Sequence, residues 1–156
     1  MDKATLNLRI RICLWIVIIG LALSGITAFP LESELAVLNK HTSPDGILGA
    51  WLHKIYFAVK NTNNHYPWLS YGTDWLAFAH LVIAVVFIEP LRDPVRNIWV
   101  IRFGMIACIG IFPLAFIAGP IRGIPFFWQM IDCSFGLLGF IPLYISYRYT
   151  CRLEKE

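Results

Sequence analysis

Two titratable side chains, His80 and Asp132, lie inside strongly apolar segments of the sequence. The histidine interrupts WLAFAHLVIAVVFI and the aspartate interrupts IPFFWQMIDCSFGLLGF. Such groups usually face a helix-bundle interior or water, because charge is costly in hydrocarbon. An imidazole beside a carboxylate is an acid–base pair in which the carboxylate orients the ring. The two residues are therefore the candidate catalytic pair. The simpler interpretation is a structural hydrogen bond that fastens one helix to another.

Four further side chains are candidate ligand contacts: Asp74, Trp128, Gln129 and Arg122. Asp74 precedes His80 in the same segment, and Arg122 lies in the turn GPIRGIP just before the segment that carries Asp132. Trp128 and Asp132 are four residues apart, so they share one helix face. We predict that these groups form an outward-facing polar pocket. The sequence contains no metal-binding motif and identifies no cofactor.

The composition is that of a membrane protein. The chain has 156 residues, of which 58% are hydrophobic and 15% are charged. Soluble domains carry about 25% charged residues. The apolar residues are also concentrated in long blocks, which indicates a bilayer as the surrounding solvent. We predict one integral membrane domain over residues 1–156, with the lipid bilayer as a partner and no nucleic acid.

Four apolar segments are long enough, or nearly so, to cross a bilayer as helices, which takes about 20 residues. They cover residues 12–29, 71–89, 97–119 and 124–147. The fold class is therefore all-α: a polytopic membrane protein with a four-transmembrane-helix bundle. An alternative for the first segment is a cleaved signal peptide, because Arg9 and Arg11 precede it and small residues follow it. Its apolar run is longer than that of a usual signal peptide.

The distribution of Lys and Arg predicts the orientation of these helices. Nine of the 13 cations flank the segments on the side of the two termini, and four lie on the other side. Since cytoplasmic loops are enriched in Lys and Arg, both termini are predicted to be cytoplasmic. The stretch EPLRDPVR is then a short cytoplasmic turn, and the protein is integral to a cell or inner membrane as a multi-pass protein.

The first outer loop, residues 30–70, is predicted to contain helical structure. ELAVLNK is typical of a short helix. In GILGAWLHKIYFAVKN, one helical face carries apolar side chains: Leu48, Trp51, Leu52, Ile55 and Val59. This pattern predicts an extra amphipathic helix that lies on the membrane surface or covers the bundle.

Four glycines in the last two segments predict close helix packing, because small residues let helix backbones approach each other. They are Gly104, Gly110, Gly136 and Gly139. The four cysteines form no C-x-x-C pair, and we interpret them as packing residues.

No nucleotide-binding, zinc-protease or haem-ligand pattern occurs in the sequence. The predicted function is a small accessory, sensor or ligand-binding membrane module. One alternative is a membrane enzyme that acts on a lipid-like substrate with His80 and Asp132 as its acid–base pair. The second alternative is a small transporter or channel that works as an oligomer. The expected partners are a lipid-like small molecule and either a homo-oligomer or a larger membrane complex.

Overall fold

A computed structural model describes residues 2–155 of the chain, and in this range it contains seven helices and no strand. The predicted all-α fold is confirmed. In chain order the helices are α1 Lys3–Ala28, α2 Leu31–His41, α3 Ile47–His65, α4 Pro67–Val86, α5 Ile88–Arg92, α6 Ile98–Ile121 and α7 Phe126–Leu153.

Four helical segments are long and apolar enough to span a membrane, as the sequence predicts. They are Lys3–Ala28, Pro67–Arg92, Ile98–Ile121 and Phe126–Leu153. The first begins nine residues earlier than residue 12, where the apolar run starts. Its early part looks polar by composition, but Leu6, Ile10 and Leu14 recur at one helix face and are fully or almost fully buried. Packing of this face extends the helix towards the N-terminus.

The helices fall into two compact units. One unit is the continuous stretch Leu21–Ile83, and the other combines the residues up to Gly20 with those from Ala84 onward. The boundary between the units passes through α1 and through α4. The single domain predicted over residues 1–156 stays a prediction.

In the second unit, α6 and α7 pack against each other through glycines. A Cβ atom on Gly136 would lie 2.8 Å from the carbonyl oxygen of Cys108, and one on Gly139 would lie 3.1 Å from the sulfur of Cys108. Gly104 is equally tight against Phe87 and Leu143. The predicted close approach is confirmed for these three glycines. It is wrong for Gly110, which has open space around it.

A glycine turn connects α6 and α7. Gly123 has a φ of +67°, a left-handed conformation that costs glycine little because it has no Cβ. The Ile124 N–H donates to the Gly119 carbonyl at 2.9 Å, and the Gly123 N–H donates to the Pro120 carbonyl at 3.1 Å. These two bonds form a Schellman motif. The helix therefore stops sharply, and α7 can begin after Pro125.

The stretch EPLRDPVR forms α5 and the loop after it. Pro90 has no N–H to donate to the Val86 carbonyl, and α4 ends at Val86. In the loop, Asp93 accepts the Arg96 backbone N–H at 3.0 Å, and the Asn97 side chain donates to the Asp93 carbonyl at 2.9 Å. The predicted turn is thus a short helix followed by a hydrogen-bonded loop.

Arginine and tyrosine side chains pair within the same unit. Arg9 donates to the Tyr149 hydroxyl at 2.8 Å, and Arg148 donates to the Tyr144 hydroxyl at 3.0 Å. Arg102 lies 5.4 Å from the centre of the Tyr147 ring, and Arg152 lies 5.9 Å from that of Tyr149. These contacts are cation–π interactions or hydrogen bonds that occupy four arginines.

Candidate functional site

An open cavity of about 390 Å³ lies within the unit Leu21–Ile83. Its wall is built from the end of α1, the start of α2, the last turns of α3 and the first turns of α4. The polar lining residues are Glu32, Ser33, Thr62, Asn63, Ser70, Thr73 and Asp74. Apolar residues form the rest of the lining, so the cavity offers both polar groups and hydrocarbon surface.

Proline fixes the chain where α1 ends and α2 begins. The ring of Pro30 disfavours helical geometry at Phe29, and α1 ends at Ala28. Pro30 then precedes α2, and its carbonyl accepts the Glu34 N–H at 3.0 Å. Glu32 lies in the first turn of α2, where the helix dipole favours a negative charge. This first turn of α2 lies at the cavity, and Glu32 is one of its lining residues.

A second proline starts α4, another helix that lines the cavity. Pro67 is the first residue of α4, a position where its missing N–H costs nothing. The preceding Tyr66 closes α3 by donating its N–H to the Thr62 carbonyl. Deeper in α4, a Cβ on Gly25 of α1 would lie 2.8 Å from the Ala77 carbonyl oxygen. This close contact holds α4 beside α1.

Hydrogen bonds between side chains join three helices at the cavity wall. Asn63 of α3 donates through Nδ2 to Glu32 Oε2 of α2 at 2.5 Å. Ser70 of α4 donates to Oδ1 of the same Asn63. The amide of Asn63 uses its donor and its acceptor at once, so this Glu32–Asn63–Ser70 chain fixes the position of the glutamate and leaves Glu32 Oε1 available.

Asp74 lies one helical turn after Ser70 on the same face of α4 and also lines the cavity. Its half-buried carboxylate has no hydrogen-bond or ion-pair partner among residues 2–155. The cavity lining contains two carboxylates, Glu32 and Asp74, and no Lys, Arg or His. Its formal charge is therefore negative. In the same range, no three His, Cys, Asp or Glu side chains are grouped to hold a metal ion.

We expect Asn63→Ala to destabilise the α2–α3 hairpin. The substitution removes the donor to Glu32 and the acceptor for Ser70, and a hydrogen bond to a charged group contributes about 1.5–3 kcal/mol. Because Asn63 is half-exposed, water can replace part of the lost hydrogen bonding, and the net loss of stability should be near the lower end of this range. Amide hydrogen exchange in Leu31–His41 should speed up accordingly. Asn64→Ala, an exposed neighbour on α3, is the control, and equal effects from both variants would contradict the role given to Asn63.

The two predicted site residues of this unit lie on different helix faces. Asp74 and His80 are both on α4, but six residues correspond to about 1.7 turns, so they point in different directions. His80 Nδ1 lies 2.8 Å from the Leu76 carbonyl oxygen. A carbonyl oxygen only accepts hydrogen bonds, so Nδ1 is the donor in this contact. The other ring nitrogen, Nε2, is left for contacts with other groups. His80 does not line the cavity.

The other predicted site residues belong to the second unit. Gln129 is buried and donates through Nε2 to the Ile124 carbonyl at 2.8 Å, so it fastens the turn after α6. Arg122 is exposed in that turn, and Trp128 and Asp132 are half-buried on α7. The predicted pairing of His80 with Asp132 joins residues of different units and stays a prediction.

Of the polar residues at the cavity, Asp74 is predicted from the sequence as a site residue, whereas Glu32, Asn63 and Ser70 are not. One signal was present: Ser70 and Asp74 are polar residues four apart at the start of an otherwise apolar helix. Glu32 and Asn63 gave no comparable signal, since each lies in a polar stretch that is equally typical of a solvated loop.

Comparison with protein-family models, with curated proteins and with solved structures finds no match for this chain.

Proposed function

We propose that the four long apolar helices cross a cell or inner membrane, with both termini in the cytoplasm. The excess of Lys and Arg on the terminal side supports this orientation. Large apolar side chains exposed along the helices support insertion, because a soluble protein rarely exposes apolar patches of this extent. Examples on α6 and α7 are Ile106, Leu114, Ile117, Phe135 and Leu138.

In this orientation the segment Leu31–His65 lies on the outer side, and the cavity opens outwards. Helix α3 lies at the outer membrane surface as an amphipathic helix, with Leu52 buried inside its unit. The apolar face predicted from the sequence is divided, since Leu48 is 47% exposed and Leu52 is 7% exposed. Lipid contact of Leu48 and of the neighbouring Ile47 accounts for their exposure.

We further propose that the protein is a ligand-binding membrane module whose outward cavity takes a small, lipid-like organic cation. The single observation that carries this is the lining: two carboxylates and no cationic side chain in a cavity of about 390 Å³. This volume lies in the range of about 300–1,000 Å³ that is typical of small-molecule sites.

The atoms available in the cavity fit an ammonium group with a hydrocarbon tail. Asp74 and Oε1 of Glu32 are acceptors, and hydrogen bonds between ions are stronger than those between neutral groups. The hydrocarbon part contacts the apolar wall, which includes Phe29, Val59 and Leu69. An anionic ligand would meet two like charges, and a neutral alcohol would gain no charge pairing.

The test uses three probes of equal chain length: hexylammonium, hexanol and hexanoate. Each is titrated into the full-length protein in phosphatidylcholine nanodiscs, with empty nanodiscs as the partition control, and heat of binding is measured. We expect saturable binding of hexylammonium only. Equal binding of hexanol, or preferred binding of hexanoate, would overturn the assignment.

A flux assay separates the binding module from a transporter. In proteoliposomes of the same lipid, we expect hexylammonium to bind without protein-dependent movement across the membrane. Protein-dependent flux that is lost in Asp74→Asn would assign the cavity to a transport pathway instead.

A further inference from the structure

A second cleft, of about 330 Å³, lies within the unit that contains both chain termini. It is formed between the early part of α1 and the α5 region. Its lining residues are Asn7, Ile10, Arg11, Pro90, Leu91, Arg92 and Pro94. The charge is opposite to that of the outer cavity, since the lining has two guanidinium groups and no carboxylate.

The two arginines of this cleft differ from most others in the unit. Four arginines are occupied by tyrosines, as described above. Arg11 has no ion-pair or hydrogen-bond partner among residues 2–155. Arg92 pairs with Glu89 at 3.0 Å, but this pair is exposed and uses one of five N–H donors. Both guanidinium groups therefore keep donors for an anion.

The surroundings of Arg11 fit a lipid better than a free anion. Trp15 lies four residues after Arg11 on the same face of α1, and its side chain is exposed. Ile12 beside it is also exposed. This exposed apolar surface lies next to Arg11 on the helix. If Arg11 binds the phosphate of a lipid, the acyl chain can therefore pack against the exposed apolar side chains.

We propose that this cleft binds the phosphodiester group of an anionic phospholipid. Arg11 and Arg92 donate to the phosphate oxygens, since guanidinium geometry matches phosphate. The Asn7 amide contacts the headgroup, and the acyl chains lie along α1 near Trp15. The proposal rests on membrane insertion of α1 but not on the cation cavity, and it goes beyond the proposed ligand-binding function.

The test measures retention of phosphatidylglycerol against phosphatidylcholine by native mass spectrometry of the full-length protein in detergent. Phosphatidylglycerol should be retained preferentially. In Arg11→Gln and in Arg92→Gln we expect that preference to fall about tenfold, the effect of losing one charge-assisted contact. Arg96→Gln is the matched control, because Arg96 lies in the same connection but does not line the cleft. It should retain the wild-type preference.

Two further variants refine the result. Arg11→Lys keeps the charge at this membrane side but loses the paired donors, and we expect a smaller loss than with Gln. Glu89→Gln frees the guanidinium of Arg92 and should increase phosphatidylglycerol retention. Thermal unfolding of each variant checks that the protein is folded before lipid is added.

Three outcomes would overturn the proposal. The first is equal loss of preference in Arg96→Gln and Arg11→Gln, which would show a general charge effect. The second is unchanged preference in both cleft variants. The third is displacement of the lipid by an equal concentration of inorganic phosphate or of glycerophosphoglycerol, which would show that the cleft binds a water-soluble phosphate or phosphodiester and that the acyl chains contribute nothing. Failure of the hexylammonium titration would leave these outcomes unaffected, so the two proposals fail separately.

Discussion

Gly136→Val is expected to lower the free energy of unfolding by about 2–3 kcal/mol, the upper part of the usual range for overpacking. The first added carbon would lie 2.8 Å from the Cys108 carbonyl oxygen of α6. This atom belongs to the backbone, so it cannot rotate away as a side chain can. The helices must separate, and the contacts along the α6–α7 pair weaken. Thermal or denaturant unfolding in detergent measures the loss.

Gly110→Val is the matched control for this prediction. It makes the same change of residue type inside a long apolar helix, but nothing lies within 4 Å of the added Cβ. We expect its stability to remain close to wild type. Equal destabilisation by both variants would show that helix propensity, and not close packing at Gly136, controls the effect.

Asp74→Asn is expected to reduce the affinity for hexylammonium by roughly ten- to a hundredfold. A hydrogen bond to a charged group is worth about 1.5–3 kcal/mol, and each 1.4 kcal/mol is about a factor of ten in affinity. Glu32→Gln should have a smaller effect, because glutamine keeps an oxygen that can accept from Asn63. The double variant should show no saturable binding. Calorimetric titration in nanodiscs gives the three affinities.

Glu34→Gln provides the control for charge. Glu34 lies two residues from Glu32 on α2 but does not line the cavity, so its neutralisation should leave the affinity unchanged. If Glu34→Gln weakens binding as much as Asp74→Asn, the carboxylates act only through the general negative potential of the outer segment. That result would remove the cavity as the binding site.

The helices could be predicted from the sequence because apolar blocks and prolines act locally. Pro30, Pro67 and Pro90 each mark an observed helix boundary or break. The early start of α1 was missed because burial of Leu6 depends on packing partners distant in sequence. The same reason explains Gly110, whose helix position alone does not reveal whether a neighbouring backbone lies against it.

The cavity was only partly predictable. Asp74 stood out as a charge at the start of an apolar segment, but the hydrogen-bonded polar residues that line the cavity with it, Glu32, Asn63 and Ser70, come from three helices. Glu32 and Asn63 are 31 residues apart, and only the folding of α2 against α3 brings them together. Gln129 is a polar residue in an apolar segment, which made it a candidate ligand contact; in the structure its side-chain amide donates to the Ile124 carbonyl of the preceding turn, and a ligand contact of this residue stays a prediction.

The proposed four-span topology is tested most directly by the accessibility of the outer segment and of the C-terminal region in intact cells. Asp45→Cys and Glu154→Cys are introduced separately into a chain whose four native cysteines are replaced by alanine, and a membrane-impermeant thiol reagent is applied before and after permeabilisation. We predict that Asp45→Cys is labelled in intact cells and that Glu154→Cys is labelled only after permeabilisation. Labelling of both positions in intact cells, or of neither, would contradict a four-span chain whose charge-rich ends and outer cavity face opposite compartments.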